Sequence, residues 1–395
     1  MIPASQQTNT PSSNLIRVLV VDDSALVRQL LKTIIDAQAD MTCIAIAKHA
    51  EMAIRMASEL RPDVMTLDVE MPGISGLQLL QQVMQSQPLP VVMISSQTHD
   101  GAQTTLTALE LGAIDFVAKP SIGVADGLIQ LAQEVVEKIR AAAHAQLPTH
   151  HTTNYDNNCN SASRSTPETE LISWQAVITQ PERLEPRQPS RPTPYKTQRH
   201  NTQPAPIKLI AIGASTGGTD AIRTILQALP LDCPPITIVQ HMPAGFTRNF
   251  AERLDSVCSM HVCEAEEGQL LQRGHAYIAP GGKHLRVTHV AGNLYAQISE
   301  DSPVLRHRPS VDALFRSITR AIGAQHCIAA LLTGMGTDGA AALLELKIGG
   351  AYTIAQDAST SIVYGMPREA AALGATCSIL PLQHIGQAIV HHMKP

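Results

Sequence analysis

Ser215, His241 and Asp338 each follow an apolar, strand-like run, and together they hold the parts of an activated nucleophile. Ile207-Lys208-Leu209-Ile210-Ala211-Ile212 passes directly into Gly213-Ala214-Ser215-Thr216-Gly217-Gly218 and then into an apolar-periodic stretch. Such a strand–turn–helix elbow exposes a serine oxygen on a sharp turn, and that oxygen attacks a carbonyl only with a base in reach. Ile236-Thr237-Ile238-Val239 ends in Gln240-His241, while the run from Cys327 to Leu332 ends in Thr333-Gly334-Met335-Gly336-Thr337-Asp338-Gly339. If the three ends share one sheet edge, His241 takes the Ser215 proton and returns it to the leaving group, and Asp338 holds the imidazole in the working tautomer. That chemistry is hydrolysis. The N–H groups of Thr216 and Met335 are the candidate oxyanion donors, each worth about 3 to 4 kcal/mol of transition-state stabilisation. Other readings stand beside this one. The glycine-rich turn could cradle a phosphate or dinucleotide at a helix N-terminus, although the Gly-x-Gly-x-x-Gly order is absent. His241 alone could be a hydrogen-bonded loop histidine, and Asp338 alone could cap a helix from Ala340 to Leu346.

A second constellation lies near the start of the chain. Asp22-Asp23 closes one β-branched run and Asp68 another, so in a parallel sheet three carboxylates converge and their repulsion calls for a cation. An all-oxygen set suits Mg²⁺, which also accepts a phosphate oxygen. Ser95 and Lys119 end two further runs, adding a hydroxyl and an ammonium at the same edge. These are the parts for phosphoryl transfer to Asp68, with the metal ligands Asp22, Asp23 and Asp68, charge neutralisation by Lys119 and a product hydrogen bond from Ser95. Singly, an Asp before Ser is often an N-cap and Lys-Pro a turn; five such residues in order are hard to explain that way.

The positioning elements follow from alternation of apolar periods. Strand-like runs at Ile16 to Val21, Met41 to Ile46, Val64 to Leu67, Val91 to Ile94 and Ile114 to Val117 are separated by helical patterns, which predicts a parallel α/β unit over 15–140. Between 141 and 206 the apolar pattern gives way to Pro, Thr, Ser, Asn, Gln and His, a linker of roughly 60 residues too polar to bury a core. Within it Leu171-Ile172-Ser173-Trp174 is either an incidental apolar patch or a docking motif. Alternation resumes over 207–395, predicting a second doubly wound, mostly parallel α/β domain. Lys and Arg against Asp and Glu net −6 over residues 1–140, +1 over 141–204 and zero beyond, which does not describe a nucleic-acid surface. Seven scattered cysteines without zinc spacing fit a reduced protein. With no long apolar run and no signal-like start, a cytoplasmic location without membrane insertion is expected. The first dozen residues read as a disordered lead.

The first unit resembles two-component receiver domains along its whole length, including Asp68-Val69-Glu70-Met71-Pro72-Gly73 and Phe116 three residues before Lys119. The resemblance implies a flavodoxin-like fold, phosphorylation of Asp68 by a histidine kinase and a change near Ser95 and Phe116 afterwards. Ile74-Ser75-Gly76 departs from the Met-Asp-Gly common there. The second unit resembles the chemotaxis protein-glutamate methylesterases, the CheB family, in the Ser215 and Asp338 stretches, Gln240-His241-Met242-Pro243, Tyr277-Ile278-Ala279-Pro280-Gly281-Gly282 and Arg308-Pro309-Ser310-Val311-Asp312. What this implies is hydrolysis of glutamate γ-methyl esters on methyl-accepting chemotaxis receptors and deamidation of receptor glutamines, without a cofactor for the hydrolysis, under a chemotaxis histidine kinase. Arg308 would either meet a carboxylate-bearing receptor helix or form a structural ion pair. The simplest regulation is occlusion, in which the unphosphorylated receiver covers Ser215; a long tether weakens such docking without forbidding it. A non-catalytic receptor-binding regulator and a general esterase are the competing functions.

Overall fold

The computed structural model describes residues 15–96, 98–119, 125–147 and 206–393. The N-terminal lead, the patch from Leu171 to Trp174 and most of the linker lie outside these residues. In the first lobe the chain runs β1 (Ile16–Val21), α1 (Ala25–Asp36), β2 (Met41–Ala47), α2 (Ala50–Leu60), β3 (Val64–Asp68), α3 (Gly76–Ser86), β4 (Val91–Ser95), α4 (His99–Glu110), β5 (Asp115–Ala118) and α5 (Ala125–Ala143). Its five strands are parallel in the order β2-β1-β3-β4-β5. Each strand sits within a residue or two of its apolar run: β3, β4 and β5 are buried on both faces, where β-branched side chains pack best, as is β1 from Val18 to Val21, while β2 at the sheet edge is largely half-buried. The α5 helix continues to Ala143, past the boundary at 140 read from sequence, since Ile139, Ala141 and Ala142 remain buried. Ser75, in the loop that departs from the receiver pattern, caps α3 in a reciprocal box with Gln78.

The second lobe runs β6 (Leu209–Ala214), α6 (Gly218–Ala228), β7 (Ile236–Gln240), α7 (Phe246–Val257), β8 (His261–Glu264), β9 (His275–Ile278), β10 (His284–Val290), β11 (Asn293–Ser299), α8 (Val311–Ile322), β12 (Cys327–Leu331), α9 (Ala340–Ile348), β13 (Tyr352–Gln356), α10 (Met366–Ala372), β14 (Ser378–Leu380) and α11 (Leu382–Met393). Seven strands form a parallel sheet in the order β14-β13-β12-β6-β7-β9-β8. β6 lies at its centre, and the chain winds outward from it first through β7 and later through β12. Strand order therefore reverses at β6, and the carboxyl ends of β12, β6 and β7 frame the crevice where an open α/β sheet places its site. The antiparallel hairpin β10–β11 stands outside this sheet.

Candidate active site

The crevice is assembled by main-chain bonds between the three strand ends. The Ser215 N–H donates to the Thr333 carbonyl at 3.0 Å and the His241 N–H to the Ala214 carbonyl at 3.0 Å. Gly217 follows the elbow at φ +77°, a left-handed turn that starts α6 and that a side chain would strain. Gly334 admits the serine: a Cβ there would stand 2.6 Å from Ser215 Cβ and 2.5 Å from Met366 Sδ. Gln240 braces the turn from β7, its amide donating to the Ser215 carbonyl at 2.9 Å.

His241 and Asp338 are paired, Nε2 to Oδ2 at 2.8 Å. Asp338 is 1% exposed, and it does not cap α9. Its Oδ1 instead accepts from Ser310 Oγ at 2.8 Å and the Asp312 N–H at 3.1 Å, and its Oδ2 from the Val311 N–H at 2.7 Å. The first turn of α8 thus supplies the donors. Asp312 returns the arrangement, accepting from the Gly339 and Ala342 N–H groups at 3.1 Å each at the start of α9. Burial alone would push the Asp338 carboxyl up, but the His241 hydrogen bond and charge and the α8 amides outweigh it and hold the carboxyl at about 2. An ionised carboxylate accepts only, so the Nε2 proton stays between His241 and Asp338 and Nδ1 presents its lone pair. Nδ1 is buried and, among the described residues, has no hydrogen-bond partner.

Sequence reasoning passed over the neighbour of this imidazole. His307 lies flat on His241, with ring centroids 3.8 Å apart and planes 9° from parallel. Burial, followed by the proximity of His241, pushes its value down to about 3, so it is a neutral ring at ordinary pH. It directly precedes the Arg308-Pro309-Ser310-Val311-Asp312 stretch, which is the signal that could have identified it. Among the described residues the N–H groups of Thr216 and Met335 make no hydrogen bond, leaving both donors available at the elbow and the facing loop.

Ser215, Thr216, His241, Met335 and His307 line a cavity of about 650 Å³ whose opposite wall is α5 of the first lobe. Contacts between the lobes surround it. The Thr216 hydroxyl donates to Asp115, the first residue of β5, and Phe116 rests against Phe246 with centroids 4.5 Å apart. Arg253 on α7 pairs with Glu110 at the end of α4, and Arg306 Nη1 lies 3.1 Å from Glu137 on α5.

The acidic cluster forms as the sheet order requires. Oxygens of Asp22, Asp23 and Asp68 lie within 4.8 Å of one another, and Lys119 Nζ stands 2.8 Å from Asp68 and 3.2 Å from Asp22. Burial, against the pull of Lys119 and aided by Asp22, raises the Asp68 carboxyl to about 6. The Oδ2 atoms of Asp22 and Asp68 are buried and both face the Lys119 ammonium, yet one ammonium leaves three converging carboxylates with excess negative charge, so the all-oxygen set fits a hard divalent cation. Ser95 closes β4 in the same sheet, but its hydroxyl is engaged with Thr105 at 2.6 Å and the Gly101 carbonyl at 3.2 Å.

Two family models match the chain: the one described as CheB methylesterase over residues 210–389 and the one described as response regulator receiver domain over residues 18–130. A protein-glutamate methylesterase/protein-glutamine glutaminase of Ralstonia nicotianae is 46% identical over 379 residues, 96% of each chain. Homologues with the same printed function are 46% identical over 375 residues in Burkholderia lata, 95% of each chain, and 43% identical over 379 residues in Salmonella typhi, 95% of this chain and 96% of that one. Among the described residues no helix is long and apolar enough to cross a membrane.

Proposed function

We propose, from the premise that the chain belongs to the CheB family of receiver-regulated protein-glutamate methylesterases/protein-glutamine glutaminases, that Ser215, His241 and Asp338 carry its hydrolysis of receptor glutamate methyl esters. The observation behind this assignment is the orientation of His241, with Nε2 bound to an ionised Asp338 and a buried Nδ1, unpartnered among the described residues, in the cavity that Ser215 lines. The Ser215 oxygen attacks the ester carbonyl as its proton passes to Nδ1. Charge on the carbonyl oxygen is met by the N–H groups of Thr216 and Met335, the former at the positive end of α6. The imidazolium, held by Asp338 through Nε2, then gives its Nδ1 proton to the departing methoxide, or to the amide nitrogen of a glutamine. Water repeats the sequence on the acyl-serine and releases glutamate.

In the receiver lobe, Asp68 is the phosphoacceptor. Asp22, Asp23 and Asp68 would hold Mg²⁺, which neutralises charge on the phosphoryl group in transfer. Lys119 adds its ammonium from just past β5, and a phosphoryl bond from Ser95 requires its hydroxyl to leave Thr105 and Gly101. The phosphodonor is a chemotaxis histidine kinase and the substrates are methyl-accepting receptors. Basal activity is low because α5 and β5 cover the cavity, and the Asp115–Thr216 bond and Phe116–Phe246 contact support that reading. Phosphorylation need shift this closed state by only a few kcal/mol.

The test is methanol release from methylated receptor cytoplasmic fragments, with and without Mg²⁺ and acetyl phosphate. Release should disappear in Ser215→Ala, rise with acetyl phosphate only when Asp68 is intact, and start from a higher basal rate in Asp115→Ala. Release that survives Ser215→Ala would rule the assignment out.

A further inference from the structure

The wall that α5 presents to the Ser215 cavity is a helical stripe of Leu131, Glu134, Lys138 and Ala141, with Glu137 beside it. Two of its charges are satisfied inside the receiver lobe: Lys138 Nζ sits 3.0 Å from Asp115 and 3.2 Å from Glu134. Glu137 reaches across instead, to Arg306.

Arg306 occupies an unusual position. Val304 and His307 exchange main-chain hydrogen bonds of 3.1 and 2.9 Å, closing a two-residue turn in which Leu305 has φ +48° and Arg306 φ +68°. Turns of this kind favour Asn-Gly, because two left-handed residues in a row crowd any Cβ. Here the pair is leucine and arginine, immediately before the ring that stacks on His241. Non-glycine residues held in this region concentrate where a site needs their side chains. Two residues on, the Arg308 guanidinium donates to the main-chain carbonyls of Glu300 and Asp301 and, among the described residues, pairs with no carboxylate. The mouth of the site therefore offers two guanidinium groups, one of them masked by a receiver glutamate.

We propose that Arg306 is a substrate-reading residue, and that Glu137 on α5 holds in the closed chain the place taken by a carboxylate of the receptor helix once the receiver is displaced. This deepens the preceding assignment and rests on it. The substrate is a helix bearing glutamates; α5 is a helix bearing glutamates, on a segment whose residues 1–140 net −6. A single cation thus serves the gate and the substrate in turn. Because receiver and substrate compete for it, an acidic receptor segment shifts the closed–open equilibrium towards the open form by its differential affinity.

The test uses full-length wild type, Glu137→Gln, and the charge swap Arg306→Glu with Glu137→Arg, each with and without acetyl phosphate and Mg²⁺. Substrates are a methylated receptor fragment and the same fragment with its unmethylated glutamates replaced by alanine. Glu137→Gln should raise the unstimulated rate about three- to fivefold, the scale of one exposed ion pair. The charge swap should restore the low unstimulated rate, yet with acetyl phosphate its KM for the acidic fragment should rise about tenfold, since attraction has become repulsion. On the alanine-substituted fragment that difference should shrink below twofold. A swap variant with the wild-type KM on the acidic fragment would overturn the inference, because Arg306 would then serve the gate alone. If activated wild type releases no methanol at all, the parent assignment fails and this inference falls with it, whereas the former failure leaves wild-type turnover intact.

Discussion

Replacing Asp338 with asparagine tests the part of the site on which the rest depends. The carboxylate accepts four hydrogen bonds, two at each oxygen, from Ser310, Asp312, His241 and Val311. An amide keeps one oxygen. If its nitrogen replaces Oδ2, it donates to His241 Nε2, moves the ring proton to Nδ1 and leaves no lone pair for the Ser215 proton. If it replaces Oδ1, the tautomer survives, but a donor is set against the Asp312 N–H at the start of α8. One backbone N–H, of Val311 or of Asp312, loses its acceptor either way, and at about 1.5 to 3 kcal/mol for a charge-assisted bond the fold should lose about that much. The wrong tautomer typically costs about 10⁴ in turnover, roughly 5 kcal/mol of barrier. Methanol release measured beside a denaturant midpoint separates the two effects. Asp338→Asn keeps turnover only if its oxygen faces Nε2, so the deciding variant is Asp338→Ala, which leaves Nε2 no acceptor: turnover within tenfold of wild type, in a folded protein, would refute the argument that Asp338 sets the tautomer. The same carboxyl predicts acid behaviour. Its folded value of about 2 lies below the ordinary 3.8, so the stability it contributes is present above pH 4 and is lost as pH falls towards 2. In Asp338→Asn that part of the acid transition should be absent.

Asp68 predicts the opposite sign. Its folded value of about 6 exceeds the ordinary 3.8, so with no divalent cation the carboxyl destabilises the fold increasingly as pH rises from 4 through 6. Mg²⁺ should accordingly raise the melting temperature more at pH 7 than at pH 5, and Asp68→Asn should raise it at pH 7 without Mg²⁺; an equal Mg²⁺ effect at both pH values would count against the cluster. His307→Ala should lower kcat by up to about tenfold, the worth of a stacked ring pair that fixes the His241 plane, and His307→Phe should recover most of it. A phenylalanine variant no better than alanine would show that stacking is not what His307 contributes.

Much of this was legible along the chain because it depends on local pattern. The β-branched runs before Asp22, Asp68, Ser215, His241 and Asp338 specify strands buried on both faces, and a parallel sheet must bring their carboxyl ends to one edge. Sequence could therefore nominate the triad and the acidic cluster, and its resemblances led to the family to which the chain belongs. It could not assign the bonds of Asp338, which sequence alone could equally place as the cap of α9. That depends on α8 docking its first turn beside β12, so that Ser310, Val311 and Asp312 donate to Asp338 while Asp312 takes the amides of α9. Nor could periodicity indicate that His307 would stack on His241, that Asp115 would reach Thr216, or that Glu137 would meet Arg306. Local propensity fixes which residues end a strand, because a strand's own side chains set its pattern. Contacts between residues of different elements, such as those 26 positions apart at Asp312–Asp338 and 101 apart at Asp115–Thr216, are fixed only when whole elements pack, and the proton path and the gate of this protein consist of such contacts.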